Sequence, residues 1–232
     1  MEACHVRVLG LVPYQSAWDL QVQLAGQIAA GDIPATLLLL EHPHTFTFGR
    51  SGNSSNLLWN DTQLKQRGIE VHWVDRGGDV TYHGPGQLVG YPLIPLNINS
   101  LFNAQGLSVD TFPRADYIGY LRKLEEVLIL SLHQLGINAG RLNNLTGVWV
   151  NGSKIAAIGV KVDSHGITRH GFSLNVAPDM SYWEGIVGCG LVDYRVTSMA
   201  SLISPTPPMQ HVIQAIVSSF EQIFDVECRM VT

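Results

Sequence analysis

Apolar positions follow three rhythms along this chain. Between Tyr14 and Ala30 they recur at Ala17, Leu24, Ala25 and Ile28, the spacing of one helix face, with Pro13 before the run and Gly31 as its stop. The same rhythm predicts a long helix over Asp110–Leu135, with Tyr117, Tyr120, Leu121, Leu124, Leu128 and Leu132 on one face and Gly136 at its end. It predicts another over Gln210–Phe224, followed by a last strand. Short continuous runs read instead as strands: Cys4–Val12, Thr36–Glu41 and, after the break at Glu41-His42-Pro43-His44, Thr45–Phe48. Glu70–Asp75 reads as a further strand. Gly147–Val150, Asn151-Gly152 and Ser153–Val162 carry the third rhythm, a hairpin closed by a type I′ turn. Asp163–Gly166 turns the chain again into Ile167–Val176. Hairpins with helices at intervals predict an α+β fold built on a mixed, largely antiparallel sheet.

One segment interrupts these rhythms. Arg76–Pro92, RGGDVTYHGPGQLVGYP, holds five glycines and two prolines among apolar positions such as Val80, Tyr82, Leu88 and Tyr91. Glycine costs folding entropy, and it lets a ligand approach the backbone. The segment is either a Gly-Pro hairpin turn with a solvated arginine or a loop that wraps a ligand, with Arg76 and His83 as its polar groups.

Composition narrows the partners. At 232 residues the chain suits one domain and a sizeable core. Only 14% of residues are charged, the net charge is −5, and lysine and arginine do not cluster. Nucleic acid and anionic membranes are therefore not expected, since both select a basic footprint. No apolar run reaches the roughly 20 residues of a membrane span, and the start lacks the pattern of a secretory signal. Three widely spaced cysteines, Cys4, Cys189 and Cys228, suit a reducing compartment.

Cys189 lies between two glycines in IVGCGL. Locally it is either a small residue in a tight turn or an accessible thiol beside backbone N–H groups able to face an oxyanion. Cys4 and Cys228 have no such setting. A thiol of pKa about 8.5 needs help to ionise at neutral pH. Lys154, at the head of the apolar strand SKIAAIGVKV, is either a hairpin-end lysine in water or an amine facing a site. His42-Pro43-His44 has no partner cluster for zinc, and HExxH, CxxC, a P-loop and GxSxG are missing.

RGGDVTYHGPGQ (Arg76–Gln87), GSKIAAIGVKV (Gly152–Val162), HGFSLNV (His170–Val176) and CGL (Cys189–Leu191) together resemble the lipoyl(octanoyl) transferase family, in order from about Val6 to the 190s. The resemblance implies a biotin/lipoate protein ligase-like fold and one catalytic domain over residues 1–232 with its core at about 6–204. It implies transfer of an octanoyl group from octanoyl-acyl carrier protein to a cysteine. From there the group passes to a lysine of a lipoyl domain, on the E2 subunits of 2-oxoacid dehydrogenases or the glycine cleavage H protein. Neither ATP nor a metal is needed by this route, and no cofactor is expected. Carried over by position, Cys189 is the acyl-accepting nucleophile and Lys154 the lysine that activates it. Arg76, Gly77, Gly78, Asp79, Val80, Thr81, Tyr82 and His83 form the substrate-binding loop. Ala157, Ile158 and Gly159, with Gly171, Phe172 and Ser173, form two further walls. A cytoplasmic monomer is expected, or a matrix protein if a transit peptide has been removed. Three rival readings remain: an ATP-dependent lipoate or biotin ligase, a non-catalytic acyl-binding module, and a Cys–His hydrolase using His170.

Overall fold

The computed structural model describes residues 2–96, 116–188 and 195–231. Cys189 and the first part of the helix expected from Asp110 lie outside the described residues. In chain order the elements are β1 (Glu2–Leu11), α1 (Tyr14–Ala30), β2 (Ala35–Glu41), β3 (Thr45–Phe48), α2 (Asp61–Gln66), β4 (Glu70–Trp73), β5 (Val80–His83) and β6 (Gln87–Leu93). There follow α3 (Tyr117–Gln134), β7 (Gly140–Leu142), β8 (Leu145–Val150), β9 (Ser153–Val162), β10 (Thr168–Asn175), α4 (Met199–Leu202), α5 (Met209–Phe224) and β11 (Val226–Met230).

Local chemistry sets the boundaries. Gly31 takes φ 80° after α1 and returns its N–H to the carbonyl of Ile28. Asp116 caps α3 through the Gly119 amide at 2.6 Å, and Gly136 ends it at φ 81°. Asn151 and Gly152 take φ 49° and 76°, both positive as a type I′ turn requires. Asn60 and Gln63 form a reciprocal capping box at the start of α2.

Eight strands form the large sheet in the order β11-β1-β2-β6-β10-β9-β8-β7, and β4-β3-β5 form a second sheet. Pairing is antiparallel from β2 through β7, whereas β1 is parallel to both β2 and β11. The alternation of a buried strand is visible in β2. Leu37 and Leu39 enter the core with Leu124, Leu128, Val212 and Phe220 of α3 and α5, while Leu38 and Leu40 pack with Ala17, Leu24 and Ile28 of α1. A third apolar cluster, with Phe46, Phe48, Trp59, Val80 and Tyr82, fills the second sheet. Residues beyond Ser204 thus supply a core helix and the strand that lies beside β1.

Candidate active site

The glycine-rich segment divides into two parts. Arg76–Asp79 is a loop, whereas Val80–His83 is β5, paired antiparallel with β3. The loop lies against residues 49–51: Gly49 N donates to Asp79 O at 3.2 Å, Arg50 N to Arg76 O at 2.9 Å and Ser51 N to Gly78 O at 3.1 Å. Its other side meets β9, where Gly77 N donates to Val160 O at 3.0 Å. Arg76 is buried and braces the loop: Nη2 donates to Thr47 O at 2.6 Å and to Thr47 Oγ1 at 2.9 Å, and Nη1 donates to Gly77 O at 2.9 Å. Asp79 accepts from the Asn53 amide at 3.1 Å and from Asn56 Nδ2, tying the loop to residues 53–56.

Close approach explains the glycines opposite. A Cβ on Gly159 would stand 3.0 Å from both Arg76 Cδ and Gly77 O. Gly171 is the register partner of Gly159, and a Cβ there would collide with Gly90 O. Gly159 thus lets the Gly77 carbonyl and the Arg76 stem lie directly on β9, and Gly171 lets β10 close on β6.

Two adjoining hollows share Gly77, Gly78, Asp79, Ala157, Ile158 and Gly159. The inner one, ≈ 50 Å³, is closed by Tyr14, Thr81, His83, Tyr91 and His170, with Gly171, Phe172 and Ser173 along its wall. The outer one, ≈ 480 Å³, is lined by Lys154, Tyr117, Leu121, Asn144, Leu145 and Thr146. Lys154 is only 9% exposed, and its Nζ lies 4.8 Å from the centre of the Trp149 ring. Its stem runs past Gly147, whose missing Cβ would sit 3.4 Å from Lys154 Cε. The Gly147 amide is held in turn by the buried carboxylate of Glu125 at 3.1 Å, which also accepts from Arg122 and Arg141. A wider groove of ≈ 750 Å³ runs between the β1–β2 face and α5. Aliphatic side chains make up much of its lining, and it holds neither Lys154 nor the loop.

Buried histidine and tyrosine rings make up the inner end. His42 Nδ1 donates to Val12 O at 2.7 Å, since a carbonyl only accepts, so its Nε2 accepts from the Tyr91 hydroxyl at 2.7 Å. Burial lowers the His42 pKa to about 4. Burial also carries His83 well below the usual histidine range, with the neighbouring His42 adding to it. The Tyr14 ring stacks on His83 at 5.9 Å, and burial pushes its hydroxyl up to about 12. His170 donates from Nε2 to Asp75 Oδ1 at 2.7 Å. That bond is the main reason the Asp75 carboxyl is held below its usual range, with Lys161 and Arg169 assisting. His170 is thus occupied by Asp75. The Thr81 hydroxyl is buried in the same wall without a hydrogen-bond partner.

The structure gathers most of the expected site residues around these hollows: Arg76–Asp79, Thr81, His83, Ala157–Gly159 and Gly171–Ser173 at the inner one, and Lys154 at the outer. Val80 and Tyr82 alternate to the opposite side of β5 and belong to the apolar cluster of the second sheet. Cys189 lies outside the described residues; on its C-terminal side, the carbonyl of Arg195 accepts from the Lys154 amide at 2.8 Å. Tyr14, Thr47, Asp75 and Tyr91 are contributors that sequence reasoning missed. Thr47 carried no signal, because its role appears only once β3 stands beside β5. His42 and His44, two positions apart in sequence, diverge: His42 backs the inner wall through Tyr91, and His44 stacks on Tyr182 at 3.9 Å. Among the described residues no group of His, Cys, Asp and Glu side chains is arranged to hold a metal ion.

Fold and site define a class, the lipoate and biotin protein ligase-like proteins. Over the whole chain the structure resembles lipoate-protein ligase A bound with ATP (TM-score 0.71, 17% identity, 90% of that chain). It also resembles the bi-partite lipoate protein ligase of Thermoplasma acidophilum (TM-score 0.71, 16% identity, 88% of that chain). A biotin protein ligase from Aquifex aeolicus is more distant (TM-score 0.52, 10% identity, 97% of this chain and 70% of that one). Residues 13–221 match the family described as the lipoyl protein ligase A/B catalytic domain. An octanoyltransferase of Rubrobacter xylanophilus is 46% identical over 94% of this chain and 91% of its own. One from Solibacter usitatus is 46% identical over 98% and 96%. The chain belongs to the octanoyltransferase family, a family of acyltransferases, within the lipoyl protein ligase A/B catalytic-domain family.

Proposed function

We propose that this protein transfers an octanoyl group from octanoyl-acyl carrier protein, through a thioester on Cys189, to the lysine amine of a lipoyl domain in lipoate biosynthesis. The observation that carries the reading is the pair of adjoining hollows. A buried lysine stands in the outer one, and the loop Gly77–Asp79 and the strand residues Ala157–Gly159 line both. The acyl chain lies along Ala157–Gly159 and the loop backbone, where each buried methylene contributes about 0.8 kcal/mol. The reacting carbonyl stays outward, near Lys154. Cys189 is the acceptor in this reading because it is the thiol between two glycines, and because the chain returns after it to hydrogen-bond with Lys154.

In the first step the Cys189 thiolate attacks the thioester carbonyl. A new C–S bond forms, the carrier's C–S bond breaks, and the carrier leaves as a thiolate that takes up a proton. This exchange is nearly isoenergetic, so it needs an ionised thiol and an oriented carbonyl more than driving force. In the second step a neutral acceptor amine attacks the acyl-enzyme. An amide forms, the Cys189–acyl bond breaks, and Lys154 takes the proton lost by the amine.

The test is intact-protein mass after mixing with octanoyl-acyl carrier protein and no acceptor. One octanoyl group, released by hydroxylamine and missing in Cys189→Ala, is the expected result. Lys154→Ala is expected to slow both steps about 100-fold or more. No adduct while the donor stays intact overturns the reading.

A further inference from the structure

Two amide side chains face each other where aliphatic residues are the rule. Gln87 opens β6 and Asn175 closes β10; they are register partners, 0% and 3% exposed. Burying a primary amide is unfavourable unless its hydrogen bonds are replaced. Here they are. Gln87 Nε2 donates to Tyr82 O at 3.0 Å and to Asn175 Oδ1 at 2.8 Å, and Gln87 Oε1 accepts from His83 Nδ1 at 2.8 Å. His83 Nε2 is then left to accept from the Thr47 hydroxyl at 3.4 Å, and Thr47 Oγ1 accepts from Arg76 Nη2.

The other end of this run reaches Lys154. Asn175 Nδ2 donates to Thr197 O at 3.0 Å. Thr197 N donates to Lys154 O at 2.9 Å, and Lys154 N to Arg195 O at 2.8 Å, so that Val196 pairs with Lys154 as a parallel bridge. One hydrogen-bonded path thus joins the arginine that braces the glycine loop to the backbone of the lysine. It crosses two strands that are otherwise apolar at this level, with Leu88 and Leu174 the next pair in register.

We propose that Gln87 and Asn175 are positioning residues, a pair that locks the Arg195–Thr197 segment and the Lys154 backbone to the Arg76 loop. This deepens the acyl-transfer reading and rests on it. Neither amide lines either hollow, so both act through Lys154 and through the segment that follows Cys189. A matched pair of leucines would fill the same place with less desolvation, but would exert no directional hold on the carbonyl of Thr197.

Two variants and two readouts test it. Asn175→Ala removes the hold on Thr197. The double variant Gln87→Leu/Asn175→Leu replaces both amides with apolar groups of similar size, and it keeps the test open if the alanine variant fails to fold. In either folded variant, hydrogen exchange at the Lys154 and Thr197 amides should quicken about tenfold or more, while amides in the middle of α3 keep their protection. For octanoyl transfer, kcat should fall about tenfold or more, and KM for octanoyl-acyl carrier protein should stay within about threefold. Unchanged exchange at both amides, or kcat within about twofold of wild type in a folded variant, overturns the positioning role. A wild-type protein that transfers no octanoyl group overturns the function instead, and the exchange readout still judges the clamp.

Discussion

Leu37 and Leu39 of β2 point into the layer under α3 and α5, Leu38 and Leu40 into the layer under α1, yet different forces hold the two layers. The first is almost wholly aliphatic and aromatic, from Leu124 and Leu128 to Val212 and Phe220. Toward the start of α1 the second layer gives way to Gln21, His42, Tyr91 and His170, all buried. Area removed from water stabilises the first, and its members are interchangeable within limits of volume. The second is specified atom by atom: the Gln21 amide oxygen accepts from the His170 backbone at 2.7 Å, and His42 is bonded on both ring nitrogens. Close-packed apolar contacts tolerate small shifts, whereas a hydrogen-bonded wall fixes directions. The inner hollow lies against the wall that fixes directions, whereas the outer one borders Tyr117 and Leu121 of α3.

The largest effect should come from the apolar layer and should leave the chemistry alone. Leu124, fully buried in α3, lines neither hollow. Leu124→Ala should cost about 2–5 kcal/mol of stability. Chemical denaturation reads the loss, and kcat per folded molecule should stay at the wild-type value. A parallel fall in kcat at a temperature where the variant is folded would show that the layers are not separable.

Acid should act on the polar layer. His42 has its pKa lowered from 6.5 to about 4, so between these values the unfolded chain binds a proton that the native protein does not. Stability contributed by the neutral ring is therefore complete above pH 6.5 and is lost progressively as pH falls toward 4. The ceiling is about 3 kcal/mol for this one histidine, at roughly 1.4 kcal/mol per tenfold change in proton affinity. His83 and His170, also lowered by burial, act in the same direction. Asp75 is held low and adds a separate loss only below its ordinary range near 3.8. Denaturation midpoints at pH 7, 6 and 5 should fall in that order. His42→Phe, which removes the titrating ring, should flatten the fall, whatever it does to stability at pH 7.

What could be read from the chain beforehand divides along the same line. The Asn151-Gly152 hairpin, α1 between Pro13 and Gly31, and α5 were legible because turn residues and helical spacing act locally. So were the contacts of Gly77–Asp79 with Ala157–Gly159, through the resemblance of their motifs. The parallel pairings of β1 with β2 and β11 were not legible, because strand partners are chosen over long separations. The capping box Asn60–Gln63 that starts α2 was present in the sequence and went unread. Arg76, expected in the substrate loop, stands at the inner hollow and also braces its own loop through Thr47, a partner that only the β3–β5 pairing brings near. Gln87 and Asn175 gave no local signal at all: a polar residue in a strand announces its role only through the neighbour across the sheet.

Two glycines sharpen the contrast with the smallest changes. Gly152 sits at φ 76° in the hairpin turn, and a Cβ there would meet no atom within 4 Å. Gly152→Ala should therefore cost stability by backbone strain alone, about 1 kcal/mol, with kcat and KM unchanged. Gly159 does not require a positive φ, but its Cβ would press on Arg76 Cδ and on the Gly77 carbonyl, each at 3.0 Å. The arginine stem can yield by a few tenths of an ångström; the loop carbonyl, held between β9 and residues 49–51, yields less. Gly159→Ala should thus narrow the space where the two hollows share their lining. It should raise KM for the octanoyl donor several-fold, on the order of 1 kcal/mol, with a melting temperature near that of Gly152→Ala. Shorter acyl donors should suffer less, because they extend less far past the new methyl group. Equal KM increases for short and long donors would place the chain's path elsewhere, and the ≈ 50 Å³ inner hollow would then be a structural void rather than the seat of the acyl tail.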